Sequence, residues 1–228
     1  MRKLGLVLTS MALLLAGATR CLADGAAPPR HLIYLHGRIV QAQQSKRPRH
    51  PQFGYYELEK ILDTFRGRGF VVSGEIRPKS ASVSGSADRV VEQVRQLLNS
   101  GVRASDVTVV GASMGAEIAL LASARLQNPE VRFCVLGACL SESARGLVAD
   151  EGKGPSGRLL AIREASDEFT STCPTWKDDL KSGPSLVARE IVLHTGLSHG
   201  FLYKPLPEWV TPVIAWADDP SQHEGQRP

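Results

Sequence analysis

Between His31 and Ala217, short β-rich runs alternate with longer segments of helical periodicity, and that order leaves the chain few folds to choose from. Strands separated by helix-length connections do not form hairpins with one another. They pair in parallel through crossovers and bury both faces of the sheet under helices. Strands are expected over 31–36, 70–76, 106–110, 131–137, 158–163 and 190–194. Leu58, Ile61, Leu62 and Phe65 recur at helical spacing in 55–67, and Val90, Val91, Val94, Leu97 and Leu98 do so in 86–98. Further helices are expected over 114–126, 174–182 and 206–217. The implied class is α/β, a three-layer α/β/α sandwich around a mostly parallel sheet of about six strands. After His36-Gly37 the chain reads as a polar, basic loop. Residues 140–157, rich in Gly, Ser and charge, read as a short lid or loop, too short for a large cap domain.

One string carries the chemistry. The apolar run Val107-Thr-Val-Val110 enters Gly111-Ala-Ser113-Met-Gly115, which opens directly into an Ala- and Leu-rich helix. Gly-x-Ser-x-Gly alone is common by chance, but between a strand and a helix it has the setting of a nucleophile elbow. Ser113 then sits on a sharp turn. Gly111 and Gly115 are required because a side chain at either position would collide with the neighbouring strand or helix. The helix start adds positive partial charge beside a developing oxyanion.

With this string in its context, the sequence resembles the α/β-hydrolase family from His31 to about Trp216. The family order is serine, acid, histidine, matched by Ser113, Asp167 and His199, the last two just after the expected fifth and sixth strands. The family's His-Gly pair after an early strand is matched by His36-Gly37. The resemblance implies an α/β-hydrolase fold without a large cap, with the backbone N–H groups of Met114 and Arg38 holding the oxyanion. Arg38 departs from the Gly-rich form of that motif.

The side-chain roles follow from what a hydroxyl cannot do unaided, since it attacks well only when an imidazole takes its proton. His199, in the flexible Gly196-Leu-Ser-His199-Gly200 loop, is preferred for that base. His194 ends a strand and is expected to be packed or half-buried. His31 lies at the wrong end of a parallel sheet, His50 and His223 lie in polar loop or tail, and His36 shapes the oxyanion loop. Asp167 would orient the imidazole and stabilise its charged form. Glu164 and Glu168 in the same loop, and Glu142 after the fourth strand, stay open as rival acids. The expected reaction is acyl transfer to water on a small-molecule ester or related acyl substrate, through an acyl-enzyme. No metal or diffusible cofactor is implied. Gly-x-Gly-x-x-Gly and the Walker loop are missing, which argues against nucleotide chemistry. Two alternatives stand beside this reading: an inactive hydrolase fold serving as a binding module, and a peptidase or thioesterase with the same machinery.

Residues 1–23 have the layout of a cleaved secretory signal: Arg2 and Lys3, an apolar run over 4–18, and small residues around Ala23. A secreted or periplasmic location is expected, with a single domain over 24–228 and no stable membrane insertion after cleavage. Losing Arg2, Lys3 and Arg20 takes the formal charge of the 228-residue chain from +4 to +1, so bulk charge does not point to nucleic acid. The local cluster Lys46-Arg47-Pro48-Arg49-His50 reads as a solvated loop in preference to an anion-binding patch. In an oxidising compartment, Cys139 and Cys173, each after an expected strand, are paired as a disulfide, while Cys134 sits in an apolar run as a buried thiol. No Cys or His spacing suggests zinc. Oligomeric state is left open.

Overall fold

A computed structural model describes residues 28–137, 142–171 and 185–219. The signal segment, Cys139, Cys173, the helix expected over 174–182 and the polar tail lie outside the described residues. Six strands form one sheet in the order β4-β1-β5-β6-β7-β8, every pair parallel. They are β1 (Arg30–Leu35), β4 (Phe70–Ser73), β5 (Val107–Ala112), β6 (Arg132–Leu136), β7 (Arg158–Glu164) and β8 (Val187–Leu193).

Alternation along the strands feeds two separate cores, which makes the three layers. Leu32, Tyr34, Val110, Cys134, Leu160 and Ile162 face one side, under α2 (Leu58–Arg66) and α7 (Pro207–Asp218). Ile33, Leu35, Val107, Val109, Phe133 and Val135 face the other, under α3 (Val83–Asn99) and α4 (Met114–Leu126). Helix α4 is buried over every residue from Gly115 to Ala124, as expected for a helix that is apolar on all sides. Ser82 caps α3 by accepting from the Gly85 N–H at 3.0 Å, and Pro207 starts α7, where its missing donor costs nothing.

Three expectations need correction. The stretch after Gly37 is not merely a loop: it forms α1 (Arg38–Gln43) and a hairpin, β2 (Arg49–His50) with β3 (Gly54–Tyr55). Six residues are too few to display a 3.6-residue period, so α1 leaves no pattern. Residues 140–157 contain α5 (Glu142–Asp150), whose Val148 is fully buried in the α3/α4 core, so part of this excursion is a packing helix. The last strand begins at Val187, three residues before its expected start, in a segment whose exposed side chains disguise it.

The path of the chain locates the site. From β1 it moves outward to β4 through α2, then crosses β1 through α3 to reach β5 on the other side. Connections that leave adjacent strands in opposite directions open a crevice at their carboxyl ends. Here that crevice lies beyond Leu35 of β1 and Ala112 of β5.

Candidate active site

At the end of β5 the backbone turns so sharply that Ser113 adopts φ 54°, ψ −120°. A non-glycine residue pays about 1–3 kcal/mol for such a conformation and keeps it only where its surroundings fix it. They do so here: the Ser113 N–H donates to Leu136 O at 2.9 Å, and Ser113 O accepts from Ala116 N–H at 2.7 Å as α4 begins. A Cβ on Gly111 would run into the Gly115 carbonyl, 2.5 Å from its carbon. One on Gly115 would meet the Leu35 carbonyl, 2.6 Å from its carbon. Both glycines are therefore demanded by β5, α4 and β1 converging on one point. Gly37, just past β1, lies so near that a Cβ there would stand 3.5 Å from Ser113 Cβ.

The imidazole comes from the opposite side of the crevice. His199 lies in the 3₁₀ segment Ser198–Tyr203, its side chain 14 % exposed, and its Nδ1 stands 2.8 Å from Oδ2 of Asp167, which is fully buried. A carboxylate accepts from Nδ1–H, which leaves Nε2 as the ring's acceptor. Oδ1 of Asp167 accepts from the Phe169 N–H at 3.0 Å. Of the rival acids, Glu168 opens the short helix α6 (Glu168–Ser171) with an exposed side chain, and Glu142 opens α5.

Glu164 has a different task. Its buried carboxylate accepts from Thr195 N–H at 2.9 Å, Thr195 Oγ1 at 2.8 Å, Ser166 Oγ at 3.0 Å, and the N–H groups of Ser166 and Gly196, both at 3.3 Å. Burial alone would raise its pKa, but these donors outweigh it and bring it down to about 2. Glu164 thus ties the loop bearing Asp167 to the loop bearing His199. Adjacent acids in sequence gave no sign of this division of labour.

Ser113, Met114, Gly37, Arg38 and His199 all line one cavity of about 490 Å³. Met114 is the first residue of α4 and Arg38 the first of α1, so both backbone N–H groups stand where a helix supplies no acceptor of its own. His36 is fully buried beneath this turn. Its Nε2 accepts from the Arg77 N–H at 3.1 Å and its Nδ1 contacts Gly37 O at 2.9 Å. Burial, helped by the Arg77 charge, lowers its pKa to about 4, so it stays neutral as a support and is no rival base. His194 is exposed, contrary to the expectation of packing.

Aromatic residues missed in the sequence complete the cavity. His50 stacks on Phe53 at 4.6 Å, and Phe53 and Phe169 approach the His199 ring at 6.3 and 5.1 Å. Phe53 meets Tyr203 edge-on at 5.4 Å, and burial pushes the Tyr203 phenol up to about 12. These side chains come from the hairpin, α6 and the 3₁₀ segment, elements without a periodic signature. The basic cluster is mostly spent internally: Lys46 pairs with Glu59 at 2.7 Å, and Arg47 pairs with Glu57 at 3.0 Å while lying over Tyr55.

No protein-family model and no curated protein matches the sequence. Solved structures do match in shape. Esterase B from Lactobacillus rhamnosis, in a structure with a tributyrin phosphonate, aligns at TM-score 0.53 and 14 % identity, over 87 % of this chain and 80 % of that one. A protein of Klebsiella pneumoniae subsp. pneumoniae MGH 78578, provisionally assigned as a dienelactone hydrolase, aligns at TM-score 0.53 and 13 % identity, over 86 % of this chain and 90 % of its own. An alpha/beta hydrolase from the metagenome of lagoon sediments at Mar Chica, Morocco, aligns at 0.47 and 17 % identity, over 82 % and 89 % of the two chains. At such identities the likeness concerns the fold, and the fold of this chain is that of the α/β hydrolases.

Proposed function

We propose that this α/β-hydrolase fold carries a serine hydrolase that cleaves ester-type acyl bonds. The observation that carries the reading is His199, 2.8 Å from the buried Asp167, lining the same cavity as a Ser113 held in a strained turn. The Esterase B neighbour gives the same direction by fold analogy alone. In the proposed course, Ser113 Oγ attacks the substrate carbonyl while its proton passes to His199 Nε2. Asp167 stabilises the imidazolium so formed. The carbonyl oxygen becomes an oxyanion against the N–H groups of Met114 and Arg38. As the tetrahedral species collapses, His199 returns the proton to the departing alcohol, leaving an acyl-Ser113. His199 then takes a proton from water, the hydroxide adds to the acyl carbon, and the second collapse restores Ser113 and frees the acid.

The cavity wall of Ile39, Ala42, Phe53, Phe169, Leu202 and Tyr203 suits an uncharged apolar acyl or alkyl group of modest size. Export through cleavage near Ala23 belongs to the same proposal, and would be tested by sequencing the N-terminus of protein recovered outside the cytoplasm. The reaction itself is tested by fluorophosphonate labelling with mass mapping, and by turnover of graded esters beside thioesters and amides. Label on Ser113, with turnover abolished in Ser113→Ala and His199→Ala, is the expected result. Labelling elsewhere, or full turnover in Ser113→Ala, would overturn the mechanism, and preference for an amide or thioester would redirect the substrate class.

A further inference from the structure

Beneath the His36-Gly37-Arg38 turn lies a guanidinium that the proposed reaction does not touch. Arg77, 8 % exposed, donates through Nη2 to the His36 carbonyl at 2.5 Å and through Nε to Gln41 Oε1 at 3.1 Å. Its backbone joins in as well: the N–H reaches His36 Nε2, and its carbonyl accepts from Gln44 Nε2 at 3.0 Å. Gln41 Nε2 closes the clamp onto Ala81 O at 2.9 Å. The segment after β4 is thereby fastened to the turn and to the C-terminal half of α1.

The charge is unusual. Among the described residues no carboxylate pairs with Arg77, Nη1 has no hydrogen-bond partner, and the neighbouring phenols Tyr34 and Tyr56 are neutral, their own titration pushed upward by burial. Burial lowers the Arg77 pKa to about 10, so it is still a cation at neutral pH. Keeping a buried cation without a counter-ion is costly, and here its hydrogen bonds to the His36 carbonyl and Gln41 offset that cost.

The bonding direction points toward the crevice. Because the Arg77 N–H donates to Nε2, neutral His36 carries its proton on Nδ1 and donates it to Gly37 O. That oxygen belongs to the peptide unit whose other end is the Arg38 N–H. Hydrogen bonds in series polarise one another, so this relay, which starts at the Arg77 main chain and persists in side-chain variants, makes the Arg38 N–H a better donor. The guanidinium adds its own bond to the His36 carbonyl and its charge.

We propose that Arg77 is a positioning residue for ester cleavage, its guanidinium fixing the His36-Gly37 turn and setting a positive charge behind the Arg38 amide. This rests on the Ser113 reading. Charge placed there interacts more strongly with the oxyanion of the transition state than with the ground-state carbonyl, so its loss falls on kcat and leaves KM nearly unchanged.

The test compares Arg77→Met with Arg77→Lys in the full-length protein, with thermal unfolding to verify the fold. For Arg77→Met, kcat should fall by about 10- to 100-fold, less than the loss of an oxyanion donor itself, with KM within about twofold. Affinity for a trifluoromethyl ketone, which adds to the serine as an oxyanion, should fall by the same factor, and Arg77→Lys, which keeps the charge, should recover part of both. If Arg77→Met does not fold, Arg77→Lys alone should still show the kcat loss without a KM change. A folded Arg77→Met with wild-type kcat and ketone affinity overturns the proposal, as does a loss that appears as raised KM and tracks the melting temperature in both variants. Full turnover in Ser113→Ala would instead overturn the Ser113 reading, and this proposal with it.

Discussion

Replacing Glu164 by glutamine tests the tie between the two loops of the site. In the folded chain its pKa drops from an ordinary 4.5 to about 2. At about 1.36 kcal/mol per unit, that difference amounts to at most about 3 kcal/mol of stability. With Glu164 buried, 1 % exposed as a residue, solvent does little to screen it. The sign follows from the lowered folded value: the stabilisation is complete above about pH 4.5, where the unfolded chain is ionised, and fades as pH falls toward 2. Glutamine matches the shape, but every contact Glu164 makes is with a donor. Whichever way the amide turns, its NH₂ faces the N–H of Thr195 or the donors of Ser166 and Gly196. Urea unfolding followed by tryptophan fluorescence at pH 7, 5 and 3.5 should show Glu164→Gln less stable at pH 7, by up to about 3 kcal/mol. Its stability should also change less than that of the wild type between pH 5 and 3.5, and ester turnover should fall as His199 loses its alignment. A variant with the wild-type urea midpoint at pH 7, or the wild-type pH slope, would refute the reasoning.

Asp167→Asn should lower kcat by about 10³- to 10⁴-fold, because an amide favours the wrong imidazole tautomer; steady-state ester kinetics decide it. Gly115→Ala places a methyl against the Leu35 carbonyl and should lose at least about 1–3 kcal/mol in thermal unfolding, with Ser113 labelling impaired. Phe53→Ala removes the ring between His50 and Tyr203 and should raise KM for apolar esters about tenfold, while kcat changes less. Cys134 is fully buried and its thiol is pushed well above the ordinary range, so iodoacetamide at pH 8 should leave it unmodified until urea is added, as read by mass mapping.

What the sequence revealed follows the reach of each interaction. The unbroken apolar runs of β1 and β5 and the stripe Leu58, Ile61, Leu62, Phe65 are local consequences of burial, so the sheet and its main helices were legible. The sharp turn at Ser113 was legible because Gly111 and Gly115 flank it within five residues, and the clashes they avoid are short-range. Choosing Asp167 over Glu164 was harder, since the two differ only in which loop atoms meet them after folding. Arg77 is 41 residues from His36 and looks like any arginine before a proline, and no spacing rule could have linked them. The β2–β3 hairpin and α1 escaped because elements of two to six residues are set by contacts with the rest of the molecule, such as Phe53 against Tyr203.

The two sides of the crevice differ in how they are anchored. Ser113 and the proposed oxyanion donors hang from adjacent central strands, where register is locked across the sheet, whereas Asp167 and His199 ride on loops leaving β7 and the edge strand β8 respectively. Sequence drift or engineering at the outer side can therefore reshape what the protein accepts while the proposed attacking half stays put. Moving the inner half by even one residue would require rebuilding the middle of the molecule.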